Sequence, residues 1–87
     1  MVNMKFYKNK KVLVTGHTGF KGSWLCRILL LAGAKVYGYA LKPATNPNLY
    51  SLLNLDKDVK SVYGDIRDYN TLKSFIDEIQ PEIVFHL

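Results

Sequence analysis

Eighty-seven residues, 48% of them hydrophobic and 22% charged, make at most one small globular domain, and no apolar run approaches the roughly 20 residues that span a bilayer. The net charge of +5 is uneven: all seven acidic residues lie from Asp56 onward, while the first 55 residues carry eight lysines and arginines. Those cations are scattered over tail, loop, helix and strand ends without interleaved aromatics, which argues against a nucleic-acid groove and for a small polyanionic ligand. The N-terminus lacks the apolar stretch and small-residue cleavage site of a signal peptide, and the single cysteine, Cys26, rules out an internal disulfide. A reducing, cytoplasmic setting with no membrane partner is the expectation.

Val12-Leu13-Val14 is a short, wholly apolar run of the kind that forms a buried parallel strand. After a glycine-rich loop, Trp24, Leu25, Ile28, Leu29 and Ala32 recur at helical spacing, and Gly33 stops that helix. Val36 to Leu41 reads as a second strand, ended by Pro43. Asn46 to Leu55 reads as a loop with one or two helical turns, and Val59 to Tyr63 as a third strand. Asp68 can cap a helix that places Leu72, Phe75, Ile76 and Ile79 on one face, with Trp24 in the earlier helix expected to pack against the sheet likewise. Pro81 ends the helix, and Glu82 to Leu87 begins a fourth strand. Strands alternating with helices predict an α/β fold with a parallel sheet and right-handed crossovers, in the spatial order 3-2-1-4. A doubly wound sheet continues past this point, so residues 1–87 read as the N-terminal part of a single Rossmann-type domain.

The loop Thr15-Gly16-His17-Thr18-Gly19-Phe20-Lys21-Gly22-Ser23 lies between the first strand and the first long helix, where glycines hold phosphates. The nucleoside-triphosphate template needs glycine, lysine and a hydroxyl residue in that order, so that lysine reaches the terminal phosphates from the first helical turn. Here lysine and glycine are transposed, as Lys21-Gly22-Ser23. Gly16, Gly19 and Gly22 instead form G-x-x-G-x-x-G, one residue wider than the dinucleotide fingerprint. The reasons for glycine carry over: a tight turn, close approach to a pyrophosphate, and close helix-to-strand packing. Asp65-Ile66, after the third strand, stands where a carboxylate can accept from an adenine amino group while an aliphatic side chain packs on the ring. Asp68 reads only as a helix cap.

TGHTGFKGSW, GDIRD and PEIVFHL together resemble the extended short-chain dehydrogenase/reductase superfamily, and within it the nucleotide-sugar 4,6-dehydratases, most of all those acting on CDP-glucose. His17, Thr18 and Lys21 carry the narrower likeness. The resemblance implies an NAD-dependent enzyme whose cofactor-binding part lies in this chain. Gly16, Gly19 and Gly22, with the backbone at Thr18, Phe20 and Lys21, would cradle the pyrophosphate. Asp65 and Ile66 would meet adenine, and His86 and Leu87 would begin the strand that passes the nicotinamide ribose. The implied reaction converts CDP-glucose to CDP-4-keto-6-deoxyglucose. Hydride leaves sugar C4, water is lost across C5 and C6, and the hydride returns to C6.

Dinucleotide folds that prefer NAD usually carry an acid about 20 residues past the loop, on the ribose 2′-hydroxyl. Tyr39-Ala40-Leu41-Lys42 stands there instead, and Lys42 could pair the 2′-phosphate of NADP. NAD remains the expectation, from the resemblance, with NADP the alternative. The Tyr-x-x-x-Lys pair that the superfamily uses as its base occurs twice by string, Tyr7 to Lys11 and Tyr69 to Lys73, but both lie in the wrong place in the topology. No catalytic residue is expected in these residues, which alone should be inert. Cys26 reads as a buried helix residue, and His17 with His86 lacks a third ligand for a metal. Two other readings stay open: another sugar-nucleotide epimerase or dehydratase, and a non-catalytic NAD(P)-sensing domain lacking a downstream Tyr-x-x-x-Lys. A homo-oligomeric parent is compatible with all of them.

Overall fold

The computed structural model describes residues 4–42 and 49–87. In chain order the elements are α1 (Met4–Tyr7), β1 (Lys11–Thr15), α2 (Phe20–Leu31), β2 (Lys35–Ala40), α3 (Leu49–Leu52), α4 (Leu55–Asp58), β3 (Lys60–Tyr63), α5 (Tyr69–Ile79) and β4 (Ile83–His86). All pairings are parallel and the sheet order is β3-β2-β1-β4, the doubly wound order expected. Leu41, Val59, Glu82 and Leu87 fall just outside the strands assigned to them. The expectations for Pro43 and for Asn46 to Asn48 lie outside the described residues.

The apolar run of β1 feeds both faces of the sheet because successive side chains point to opposite sides. Val12 and Val14 join Val36 beneath α2 and α4, with Cys26, Leu29, Tyr50 and Leu55 closing that core. Leu13 turns to the other face and packs with Tyr39, Phe75 and Ile79 under α5. Gly33 ends α2 with φ +84°, and the N–H groups of Ala34 and Gly33 reach the carbonyls of Leu29 and Leu30 in a Schellman arrangement. Asp68 caps α5 as expected, accepting from the Thr71 N–H at 3.3 Å and its hydroxyl at 2.7 Å.

One assignment is corrected. Trp24 and Ile28 do not face the sheet: they are 44% and 41% exposed, and with Phe20 and Leu31 they line the solvent side of α2. The inward stripe is Gly22, Ser23, Cys26 and Leu29. Small residues win because the helix start lies almost on the glycine loop. A Cβ at position 22 would stand 2.6 Å from His17 Cα and would also overlap Gly16 O. No tryptophan can occupy that side of the first turn.

Candidate functional site

A cavity of about 360 Å³ opens at the carboxyl ends of the strands, lined by residues at or just after the ends of β1, β2, β3 and β4. That is the position at which doubly wound sheets bind ligands. The glycine loop forms one wall. Gly16 takes φ +76°, donates its N–H to Tyr39 O at 3.0 Å, and backs against Leu87 so closely that a Cβ would come within 3.2 Å of Leu87 O. Gly22 is required by helix packing, as above. Gly19 differs from both. Its φ is −77°, which any residue adopts, and an added Cβ would find only Gly16 O at 3.7 Å. No packing contact among the described residues demands glycine there, yet Gly19 lines the cavity.

Gly19 also heads α2, and no side chain among the described residues caps that end; the first turn carries no acid. The first-turn N–H groups of the helix therefore lack intrahelical partners and sit at the positive end of its dipole, beside the cavity. Thr18 ties the loop to the far wall through its hydroxyl, which donates to Leu41 O at 2.9 Å. The side chains of Phe20 and Lys21 are exposed and do not line the cavity, so only their backbone lies in position to serve a ligand. Lys42 is likewise exposed and outside the lining, one residue beyond Leu41, which does line it.

Asp65 and Ile66 form the opposite wall. The turn that carries them is fixed from below by Tyr39, a buried residue whose hydroxyl donates to Asp65 O at 3.0 Å. Gly64 admits that phenol, since a Cβ there would stand 2.6 Å from the Tyr39 oxygen. Burial pushes the Tyr39 phenol above its ordinary range, and the negative charges of Asp68 and Asp65 add to the effect. The Asp65 carboxylate is paired with Arg67, whose hydrogen bonds hold the carboxyl down to about 2. The floor between the walls is His86 and Leu87. His86 Nδ1 lies 2.6 Å from the Thr15 hydroxyl, and Leu87 N–H donates to Thr15 O at 3.2 Å.

The structure thus gathers Gly16, Thr18, Gly19, Asp65, Ile66 and Leu87 around one cavity, and leaves Lys42 and the side chains of Phe20 and Lys21 beside it. Tyr39, Ala40, Leu41 and Gly64 line the cavity too; the sequence assigns none of them a ligand contact and marks Tyr39-Ala40-Leu41-Lys42 only as the stretch without the usual acid. An aromatic in an apolar strand reads as core, and Tyr39 is core as well as wall. Its one available signal was its place at the end of the second strand. The two histidines stand apart. His17 is fully buried, with its ring against Gly38 and its Nε2 3.0 Å from Ser61 Oγ, which in turn bonds the Tyr50 hydroxyl. Of the misplaced Tyr-x-x-x-Lys pairs, Tyr69 is exposed and Lys73 pairs with Asp77 at 3.0 Å, away from the cavity.

Residues 13–87 match the family model described as GDP-mannose 4,6 dehydratase. The chain belongs to that family. It is 49% identical over all 87 residues to a CDP-glucose 4,6-dehydratase of Salmonella typhimurium, of which it covers 24%. Among solved structures, an epimerase from Methanothermobacter thermautotrophicus superposes with TM-score 0.73 at 33% identity, over 97% of this chain and 24% of that one. A dTDP-glucose 4,6-dehydratase from Bacillus anthracis, solved in complex with NAD, superposes with TM-score 0.73 at 25% identity, over 90% of this chain and 26% of that one. The chain therefore spans about a quarter of the length of the family members it matches.

Proposed function

We propose that residues 1–87 are the NAD-binding part of a nucleotide-sugar 4,6-dehydratase that acts on CDP-glucose. The observation that carries this reading is Gly19: among the described residues nothing beyond its place at the helix start calls for glycine, and it lines the cavity at an uncapped helix end. A backbone bared in this way lets a diphosphate approach the first-turn N–H groups to hydrogen-bond distance. From there the cavity runs one way to Asp65 and Ile66, chemistry suited to an amino-bearing base. It runs the other way to His86 and Leu87 at the end of β4, beside β1. The residues fit a dinucleotide lying across the strand ends. The nicotinamide supplies a hydride acceptor, and in this reading the residues that move protons on the sugar lie beyond Leu87.

NAD is favoured over NADP because the cavity between β2 and the glycine loop is walled by Ala40 and Leu41, with Lys42 outside it. The NAD-bound dehydratase from Bacillus anthracis and the identity to the Salmonella CDP-glucose enzyme support the same choice of cofactor and substrate class. The test is to incubate the full-length protein with CDP-, dTDP- and GDP-hexoses, with NAD and with NADP, and to observe products by NMR. A 4-keto-6-deoxy product from CDP-glucose with NAD is expected. NAD binding without turnover of any sugar nucleotide would instead favour a cofactor-sensing domain.

A further inference from the structure

Asp65 does not wait in the cavity as an open carboxylate. Arg67, two residues on, donates its backbone N–H to Oδ1 at 2.9 Å, its Nε to Oδ1 at 3.0 Å and Oδ2 at 3.1 Å, and its Nη2 to Oδ2 at 2.6 Å. A carboxylate offers roughly four acceptor positions, two on each oxygen. Oδ1 is filled by the backbone and Nε; Oδ2 takes Nη2 and a share of the same Nε, which leaves it room for one more donor. The Arg67 side chain is 87% exposed and stands outside the cavity lining, whereas Asp65 is 32% exposed and lines it. The turn between them is itself anchored by the Tyr39 hydroxyl on Asp65 O.

We propose that Arg67 is a positioning residue for base recognition: it clamps the Asp65 carboxylate so that one acceptor position remains, for a single exocyclic amine. The inference rests on the dinucleotide reading of the cavity and adds to it the reason why the bound base must carry an amino group. A free aspartate would rotate and could turn either oxygen, or a water bound to it, toward the ligand. The clamped one presents a fixed acceptor that is ionised at neutral pH. The other titratable groups around it do not compete for that position. Asp68 is engaged with Thr71, Tyr39 donates to the backbone rather than the carboxylate, and His86 across the cavity is paired with Thr15.

The experiment compares NAD with its hypoxanthine analogue, in which a carbonyl oxygen replaces the adenine amine, by titration calorimetry on the full-length protein. Arg67→Ala should weaken NAD about tenfold while changing the hypoxanthine dinucleotide less than about twofold, since only the former carries the exocyclic N–H that the remaining Asp65 acceptor takes. Arg67→Lys, which keeps the charge but lacks the planar fork, should resemble Arg67→Ala. Asp65→Asn combined with Arg67→Ala should bind NAD no more weakly than Asp65→Asn alone. The carboxyl carbon of Asp65, followed by NMR, should titrate near 2 in the parent and move up toward the ordinary 3.8 in Arg67→Ala. Equal losses for both dinucleotides would mean a general charge effect and overturn the proposal, as would additive losses in the double variant or unchanged NAD affinity in Arg67→Ala. A parent that bound neither dinucleotide would overturn the cavity reading itself, and this inference with it.

Discussion

Gly19 and Gly22 lie three residues apart in one motif, and the structure assigns them opposite jobs, so alanine at each should fail in opposite ways. At position 22 the new Cβ would lie 2.6 Å from His17 Cα and would overlap Gly16 O, both backbone atoms that no side-chain rotation can move. The carbon pair is roughly 1 Å inside van der Waals contact. Overpacking of this kind costs about 1–3 kcal/mol, more where the backbone itself must shift, against a helix-propensity gain of about 1 kcal/mol for replacing glycine. Because both clashes are with backbone, Gly22→Ala should lie at the costly end and lower unfolding free energy by about 2 kcal/mol or more. At position 19 the Cβ meets only Gly16 O at 3.7 Å, an ordinary contact, and φ is −77°. Gly19→Ala should cost only about 0.5–1 kcal/mol of stability, the difference between glycine and alanine at a helix N-cap. Its methyl group would nevertheless project toward the diphosphate, and NAD affinity should fall at least about tenfold through lost close approach. Urea denaturation and calorimetric titration of NAD, run on both variants of the full-length protein, give the two numbers. If Gly19→Ala bound NAD like the parent, the glycine would have no ligand to admit, and the dinucleotide reading would lose its main support. If Gly22→Ala were as stable as the parent, the packing account of the third glycine would be wrong.

Asp68→Ala removes the cap of α5 together with both of its bonds to Thr71, and should cost about 1 kcal/mol in urea denaturation; no loss would show that Thr71 and water replace it. Burial pushes the Cys26 thiol up to about 12, so it should resist a thiol reagent at pH 8 in the folded protein and react at once in urea. The sign follows from the raised value: the stability tied to the neutral thiol is complete below the ordinary 9.0 and drains away as pH climbs toward 12. Fast labelling without denaturant would mean that α2 opens far more readily than its packing implies.

Elements whose signals are local were legible in the sequence. The apolar run of β1, the glycine punctuation of α2 and the Asp68 cap each depend on residues within a few positions of one another, and the parallel order followed from their alternation. The inward face of α2 was not legible. FKGSWLCRILLL is apolar on most sides, so spacing alone cannot choose between the stripe through Trp24 and Ile28 and the stripe through Ser23, Cys26 and Leu29. Only the distance from the helix start to the glycine loop decides, and it admits small residues alone. The same division runs through the candidate site. The chemistry of the glycine motif and of Asp65 could be read from residue type and spacing, because a diphosphate demands a bare backbone and an amine demands an acceptor wherever they occur. That Tyr39 supports the Asp65 turn and that Thr15 holds His86 at the cavity floor are facts about residues brought together across the sheet, whereas Arg67 claims most of the Asp65 carboxylate from two residues along the same turn. Short-range chemistry is written in the order of residues; which of those groups meet around one cavity depends on neighbours that only the folded sheet supplies.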